Sequence, residues 1–261
     1  MKSDGLLKST MLSDIRKGIL YILAERPMSL AEIRTHFDVT SASIIPRIKD
    51  LVKADLISKD DGKYVLTTTG TILVKKLEAM DDLEKVIVNT GEFLNTHDLS
   101  PIPARLIDRI DELGDCKVIR NTMEHITAAH DQIYDNLPKA KKIMGIAPVL
   151  DPQYPKIYVG LASMKIPVSI IIPENIYKKV EKEYSVFLHE FLSRENTKMY
   201  VIDSVRLVLV TTDNFTSIYL YNKNGTFDSM SSLFSSDLSA TKWGAELFDS
   251  YLQKAREIKI K

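Results

Sequence analysis

The sequence predicts a two-domain chain of α+β and α/β class, an N-terminal winged helix-turn-helix followed by a C-terminal mixed-sheet α/β domain. Three observations predict it. Between Ser29 and Leu66, two short helical patterns run directly into a charged strand–turn–strand hairpin. A polar stretch with two prolines, Asn95 to Pro103, then interrupts the periodic pattern. Beyond it, apolar runs suited to buried strands alternate with amphipathic helices and end in adjacent strands, the signature of a mixed sheet.

Each element has a local reason. A first helix is expected from about Ser13 to Glu25. Ser13 caps it, Ile15, Ile19, Leu20, Ile22 and Leu23 form its apolar face, and Pro27 stops it. Ser29 caps a second helix, and Glu32 three residues on completes a capping box. Leu30, Ile33 and Phe37 face inward, and Asp38-Val39-Thr40 is the turn. A third helix ends near Ala54, with Ile44, Ile48, Leu51 and Val52 inward. Pro46 is awkward there, because a proline inside a helix removes a hydrogen bond and crowds the preceding turn. Either the regular helix begins as late as Ser43 or it is kinked. Leu56-Ile57 starts a strand, Asp60-Asp61-Gly62 turns, and Tyr64 to Leu66 returns.

Thr67 to Gly70 leads into a longer helix, about Thr71 to Leu94. Its Leu73, Leu77, Met80, Leu83 and Ile87 form a stripe that either seals a dimer or packs on the winged helix. The expected organisation is therefore residues 1–70 as winged helix, 71–100 as linker helix and connection, and 101–261 as an effector-sensing or dimerising domain.

In the last part, Pro103 opens a helix through Leu106, Ile110 and Leu113 to a Gly114 cap. Cys116 to Ile119 is a short strand, and Met123 to Leu137 is helical. Ile143 to Ala147 and Ile166 to Ile172 read as strands buried on both faces, with a helix from Tyr154 to Met164 between them. Pro173 begins a helix carrying Ile176, Val180, Tyr184, Leu188 and Phe191. Lys198 to Ile202 and Arg206 to Thr212 are strands. Ser217 to Tyr221 and Thr226-Phe227 flank an Asn224-Gly225 turn, and a helix with Trp243, Leu247, Tyr251 and Leu252 closes the pattern.

Composition narrows the function. Of 261 residues, 44% are hydrophobic and 27% charged, enough for real cores in a soluble protein. The single cysteine rules out an internal disulfide framework and suits a reducing cytoplasm. No apolar run approaches the roughly 18 residues of a membrane span, and the first residues carry no signal-peptide pattern. The net charge is zero, and residues 1–70 hold eleven Lys/Arg against nine Asp/Glu. A nucleic-acid binder of this composition must therefore concentrate its positive charge locally.

The third helix is where that concentration is expected. A helix fits the major groove and presents side chains to base edges there. Thr40, Ser41 and Ser43 lie at its N-terminus, where hydroxyls and free backbone N–H groups suit phosphate. Arg47 is the candidate base reader, since guanidinium pairs bidentately with guanine. Lys49 and Lys53 are candidate phosphate contacts, as are Lys59 and Lys63 flanking the wing turn. Asp60 and Asp61 at the wing tip oppose the wing contact. The competing reading is a winged helix used as a protein–protein adaptor with solvated lysines.

At these residues the chain resembles a known family. VTSASIIPRIKDLVKADLI followed by KYVLTTTG is similar to the N-terminal domain of archaeal winged-helix regulators of the methanogenesis-regulator type. The resemblance continues through His97 to Cys116, Ser193 to Asp203, Leu209 to Asp228 and Trp243 to Tyr251, covering nearly the whole chain. It implies a cytoplasmic transcriptional regulator acting on double-stranded DNA as a homodimer, with a C-terminal domain of long-unknown function and no established ligand. That domain also resembles the phospholipase-D-like sensor domains of other archaeal regulators.

Catalytic and metal patterns are not found. None of the five histidines begins an H-x-K pattern, so a non-catalytic sensor is expected. Glu124-His125 and His130 do not form a zinc helix, because residues five apart lie about 140° apart around it. There is no phosphate-cradling glycine loop and no G-x-S-x-G elbow. No cofactor is expected, and the enzyme reading survives only as an unrecognised α/β catalytic domain. Tyr154, Tyr158, Met164 and Tyr177 either line an effector pocket or are ordinary core and surface residues. Such a pocket belongs at the strand ends near Ala147-Pro148 and Ile172-Pro173. The Trp243 helix is a second candidate dimer interface, or packs on the sheet.

Overall fold

The computed structural model describes residues 13–122 and 127–259. The chain forms two compact units, Met1–Asp81 and Asp82–Lys261.

In the first unit, α1 (Asp14–Glu25), α2 (Leu30–Phe37) and α3 (Ser41–Lys53) precede a hairpin of β1 (Ile57–Asp60) and β2 (Lys63–Leu66). The local signals act as expected. Ser13 caps α1, and Ser29 and Glu32 form the reciprocal box on α2. Asp61 and Gly62 turn the hairpin with positive φ of 42° and 77°. Met28 exchanges two backbone hydrogen bonds with Tyr64, at 3.1 and 2.7 Å, which fastens the α1–α2 connection to the hairpin. Ile19, Leu20, Ile33, Ile44, Leu51, Leu56 and Ile57 are essentially sealed from solvent and form one core. Val52, expected inward, is exposed, because Ile48 and Leu51 already fill the α3 side of that core.

The long helix α4 (Thr68–Thr96) starts three residues before its expected start at Thr71 and ends two beyond Leu94. Gly70 permits that start, since a Cβ there would lie 2.0 Å from the Leu56 carbonyl oxygen. The stripe expected along α4 is not one seam. Leu73 and Leu77 join the first unit's core, whereas Met80 and Ile87 are exposed.

The second unit is built on an eight-stranded sheet of order β10-β6-β5-β4-β7-β8-β9-β3. The strands are β3 (Lys117–Arg120), β4 (Ile143–Ile146), β5 (Val168–Pro173), β6 (Thr197–Ile202), β7 (Leu207–Thr212), β8 (Thr216–Leu220), β9 (Ser231–Ser235) and β10 (Arg256–Ile258). β4, β5 and β6 are parallel, and the other pairings are antiparallel. The helices are α5 (Ala104–Ile107), α6 (Ala128–Tyr134), α7 (Tyr154–Ser163), α8 (Glu174–Glu183), α9 (Ser185–Leu192) and α10 (Leu238–Leu252).

Each sheet face carries its own core, as strand alternation requires. One packs Ile146, Ile171, Leu207, Leu209 and Leu220 against Trp243, Leu247 and Phe248 of α10 and Val86 and Phe93 of α4. The other packs Ile143, Ile170, Val208, Phe215 and Tyr219 against Val159 of α7, Val180 of α8 and Leu188 and Phe191 of α9. Trp243 is fully buried, and its indole N–H donates to the Leu106 carbonyl at 2.9 Å. Cys116 is buried, and burial pushes its thiol up to about 12.

Four expectations in this unit change, the first being that the Trp243 helix does not close the pattern, since β10 follows it and pairs with β6. The Pro103 helix is α5, four residues long, followed by a separate 3₁₀ turn at Ile110–Leu113 that Gly114 closes with φ 59°. The Pro173 helix breaks at Tyr184 (φ −133°, ψ 32°) into α8 and α9, so its apolar residues pack as two short helices. Thr226-Phe227 contributes only the bridge from Tyr221 to Phe227, and the partner strand of β8 is the unforeseen β9.

Candidate nucleic-acid interface

The geometry of α3 follows from its two ends and its sealed face. Asp38 takes a left-handed conformation (φ 49°) and closes α2, with its N–H and that of Val39 turned back to the Thr35 and Arg34 carbonyls at 3.3 Å. Thr40 then caps α3, its hydroxyl accepting the Ser43 N–H at 3.3 Å. The helix begins at Ser41 and carries Pro46 within it as its sixth residue, so the late start at Ser43 is not the one adopted. Without a proline N–H, the Ala42 carbonyl lacks its usual i+4 donor.

With Ile44, Ile48 and Leu51 sealed in the core, Ala42, Pro46, Lys49 and Lys53 form the exposed ridge. Lys49 and Lys53 enter no ion pair among the described residues. Asp50, the acid on this helix, is paired with Arg16 of α1 at 2.5 Å. That pairing offsets the one carboxylate of α3 and was not visible in the sequence, because the partners are 34 positions apart.

Arg47 is half-buried, and its guanidinium folds back on its own helix. It donates to the Ser43 carbonyl and to the Ser43 hydroxyl, the latter at 3.2 Å. Of the hydroxyls expected at the helix start, Thr40 is engaged as the cap, Ser43 is engaged by Arg47, and Ser41 is half-buried.

On the hairpin, Lys59 lies opposite Tyr64 and Asp60 opposite Lys63. Lys59 Nζ is 6.0 Å from the Tyr64 ring centroid. Lys59 and Lys63 are exposed and make no ion pair among the described residues. The unit thus joins a ridge bearing two free ammonium groups to a hairpin bearing two more.

In the second unit, Tyr154 and Tyr158 are brought together, their ring centroids 6.0 Å apart, beside Ala147 and Ile172 in a recess. Met164 is exposed on an open groove that adjoins the recess at Tyr134, Leu137 and Ile157, and the half-buried Tyr177 donates to Glu181 at 3.1 Å. No group of three or more metal-binding side chains occurs among the described residues. Glu124 and His125 lie outside those residues, as does the side chain of His130. A pair formed by the buried His97 and the partly buried Asp228 escaped the sequence reading. His97 Nε2 is 3.2 Å from Asp228 Oδ2, its Nδ1 is 2.8 Å from the Phe93 carbonyl, and its ring stacks on Phe93.

Comparison with known proteins adds sequence relationships. The model of the FilR1 methanogenesis regulatory protein's N-terminal domain matches residues 5–85, and that of its middle domain matches residues 126–254. The methanogenesis regulatory protein FilR1 of Methanothrix harundinacea (strain 6Ac) is 27% identical over 255 residues, covering 94% of this chain and 56% of that protein. The chain therefore spans about half the length of the curated relative it matches. Among solved structures, TrmBL2, an archaeal chromatin protein with a novel mode of DNA binding, aligns with a TM-score of 0.44 at 13% identity, over 96% of this chain and 97% of that one. Nuc from Salmonella typhimurium, a phospholipase D family member, aligns with a TM-score of 0.42 at 12% identity, over 56% of this chain and 98% of that one.

Proposed function

Because the chain belongs to the FilR1 family of archaeal methanogenesis-type regulators, we propose that it is a transcription regulator that binds double-stranded DNA through α3 and the β1–β2 wing. The observation that carries this is the exposed ridge of Ala42, Pro46, Lys49 and Lys53, with its lysines unpaired and its carboxylate Asp50 held by Arg16. Lys49, Lys53, Lys59 and Lys63 hold phosphates, and Thr40, Ser41 and Ser43 lie where the strand passes the helix N-terminus. Arg47 reads a base after leaving Ser43, exchanging two internal hydrogen bonds for a bidentate contact with guanine.

The protein acts in the cytoplasm, as a sensor-coupled regulator without catalysis of its own. No described helix is long and apolar enough to cross a membrane. A homodimer would present two copies of α3 to two half-sites. The exposed Ile72, Met80, Ile87 and Val88 of α4 supply apolar surface for such an assembly to cover.

Duplex affinity should fall with rising salt, and Lys49→Ala with Lys53→Ala should lower the slope of log K against log salt by about 2, roughly one per phosphate contact. Arg47→Ala should weaken binding by about tenfold and relax selection at one base position, read by enrichment from random duplexes. Duplex binding unchanged by all three substitutions removes α3 as the reader. No binding at about 50 mM salt favours the protein-adaptor reading.

A further inference from the structure

Under α7, α8 and α9, on the sheet face that carries Ile170 and Val208, the second unit holds a recess in three joined parts. Two inner pockets of about 50 and about 30 Å³ meet at Ala147, Tyr154 and Tyr158. An outer chamber of about 340 Å³ shares Tyr154, Val208 and Tyr219 with the second of these, and Tyr154 with Val149 and Leu150 with the first. The chamber lies within the size range of small-molecule sites, about 300–1,000 Å³. It sits beyond the C-terminal ends of the parallel strands β4 and β5, where connecting loops diverge and open α/β sheets accept ligands.

The chemistry of the walls is narrow. The inner pockets are lined by aliphatic side chains, Phe187, Phe191, Met199 and tyrosines, with no ionisable acid or base other than the phenols among the described residues. Asp151, in the outer chamber, is the one charged residue on any of the three walls among the described residues. Tyr158 lies over Gly145 of β4, where a Cβ would sit in ordinary van der Waals contact with the phenol oxygen at 3.7 Å. Burial holds the Tyr154 and Tyr158 phenols above their ordinary range and Tyr219 up to about 12, so all three stay neutral. On the same face of β8, two residues from Tyr219 and opposite Val210, the buried Ser217 hydroxyl has no hydrogen-bond partner among the described residues.

We propose that this recess is a small-molecule site, and that its occupant is an uncharged, mainly apolar compound with one hydrogen-bonding oxygen or nitrogen. The apolar body lies between the aliphatic walls, and the polar end lies among the tyrosine hydroxyls. Among the described residues, a carboxylate or phosphate finds no Lys or Arg on these three walls, Lys156 standing on the open groove that adjoins the second pocket, and it meets Asp151 at the entrance, so its charge goes unpaired. A cation is met by Asp151 outside but by no counter-charge within. The inference is independent of DNA binding.

The test is titration of the full chain with N-phenyl-1-naphthylamine, a neutral dye that fluoresces in apolar surroundings. Saturation at one dye per chain is expected, with displacement by 1-octanol at least tenfold more effective than by octanoate. Ala147→Leu fills the junction of the inner pockets and should abolish saturable binding. Ile176→Trp, on the half-buried α8 wall, tests the same blockade should Ala147→Leu fail to fold. Tyr158→Phe should keep dye binding and weaken displacement by octanol severalfold. No saturable dye binding, equal displacement by octanoate, or full binding in a folded blocked variant would each overturn the proposal.

Discussion

Gly244 lies where α10 crosses the sheet, and a Cβ there would sit 2.5 Å from both the Thr211 and Thr216 hydroxyl oxygens. Those hydroxyls are not free to move aside. They bond each other at 2.7 Å, and Thr216 donates to the Ala240 carbonyl at 3.0 Å. Gly244→Ala should therefore destabilise the second unit by about 1–3 kcal/mol, the usual cost of overpacking, read as a lowered urea midpoint; an unchanged midpoint refutes the packing argument. Four carboxyls, Glu32, Asp98, Asp228 and Glu246, are held below their ordinary values and make stability pH-dependent, and two of them give the test. The Arg26 guanidinium and the Ser29 backbone N–H hold Glu32 down to about 2. Burial works against ionised Asp228, but the Ser231 hydroxyl, the Met230 N–H and His97 together hold it below its ordinary value. Each is depressed on folding, so its stabilisation is complete above the unfolded value of about 4 and is lost as pH falls through the folded one. Thermal melts should drop in acid below about pH 4, and Glu32→Gln or Asp228→Asn should each flatten that drop.

Among the elements, α3 is the one built against its own regularity. Pro46 leaves the Ala42 carbonyl without its helical donor, and the Thr40 cap and the sealed Ile44–Ile48–Leu51 face hold the helix in spite of it. Pro46→Ala should raise the stability of the first unit by about 1–3 kcal/mol, seen in far-UV melts; a loss would mean that the proline fits a turn better than an alanine does. The same helix marks how far the sequence could be read. Caps and tight turns were legible because both partners lie within a few residues, as with Ser29 and Glu32 or Asp61-Gly62. The strand β9 was not, since its Ser231–Ser235 run (SSLFS) carries little apolar signal and is defined by pairing with β8 and β3. The lysine ridge followed from periodicity. The retraction of Arg47 onto Ser43, the pairing of Asp50 with Arg16 and the union of His97 with Asp228 across 131 positions did not, because periodicity carries no information about side-chain partners.

At the scale of the molecule, the two units have separate cores, and the single tryptophan belongs to one of them. Trp243 fluorescence therefore follows the second unit alone, whereas far-UV circular dichroism follows both. Leu20→Ala, which empties a fully buried position in the first unit, should cost that unit about 2–5 kcal/mol. The dichroism transition should move to lower urea while the fluorescence midpoint stays; movement of both would show that the units unfold together. The buried Cys116 has a practical corollary. With its thiol shut away and held protonated, maleimides and other alkylating dyes should pass it by in the native protein. A cysteine introduced on the wing or the α3 ridge would then be the one site that takes a fluorophore or spin label, so distances could be tracked in the otherwise native sequence without first deleting its thiol.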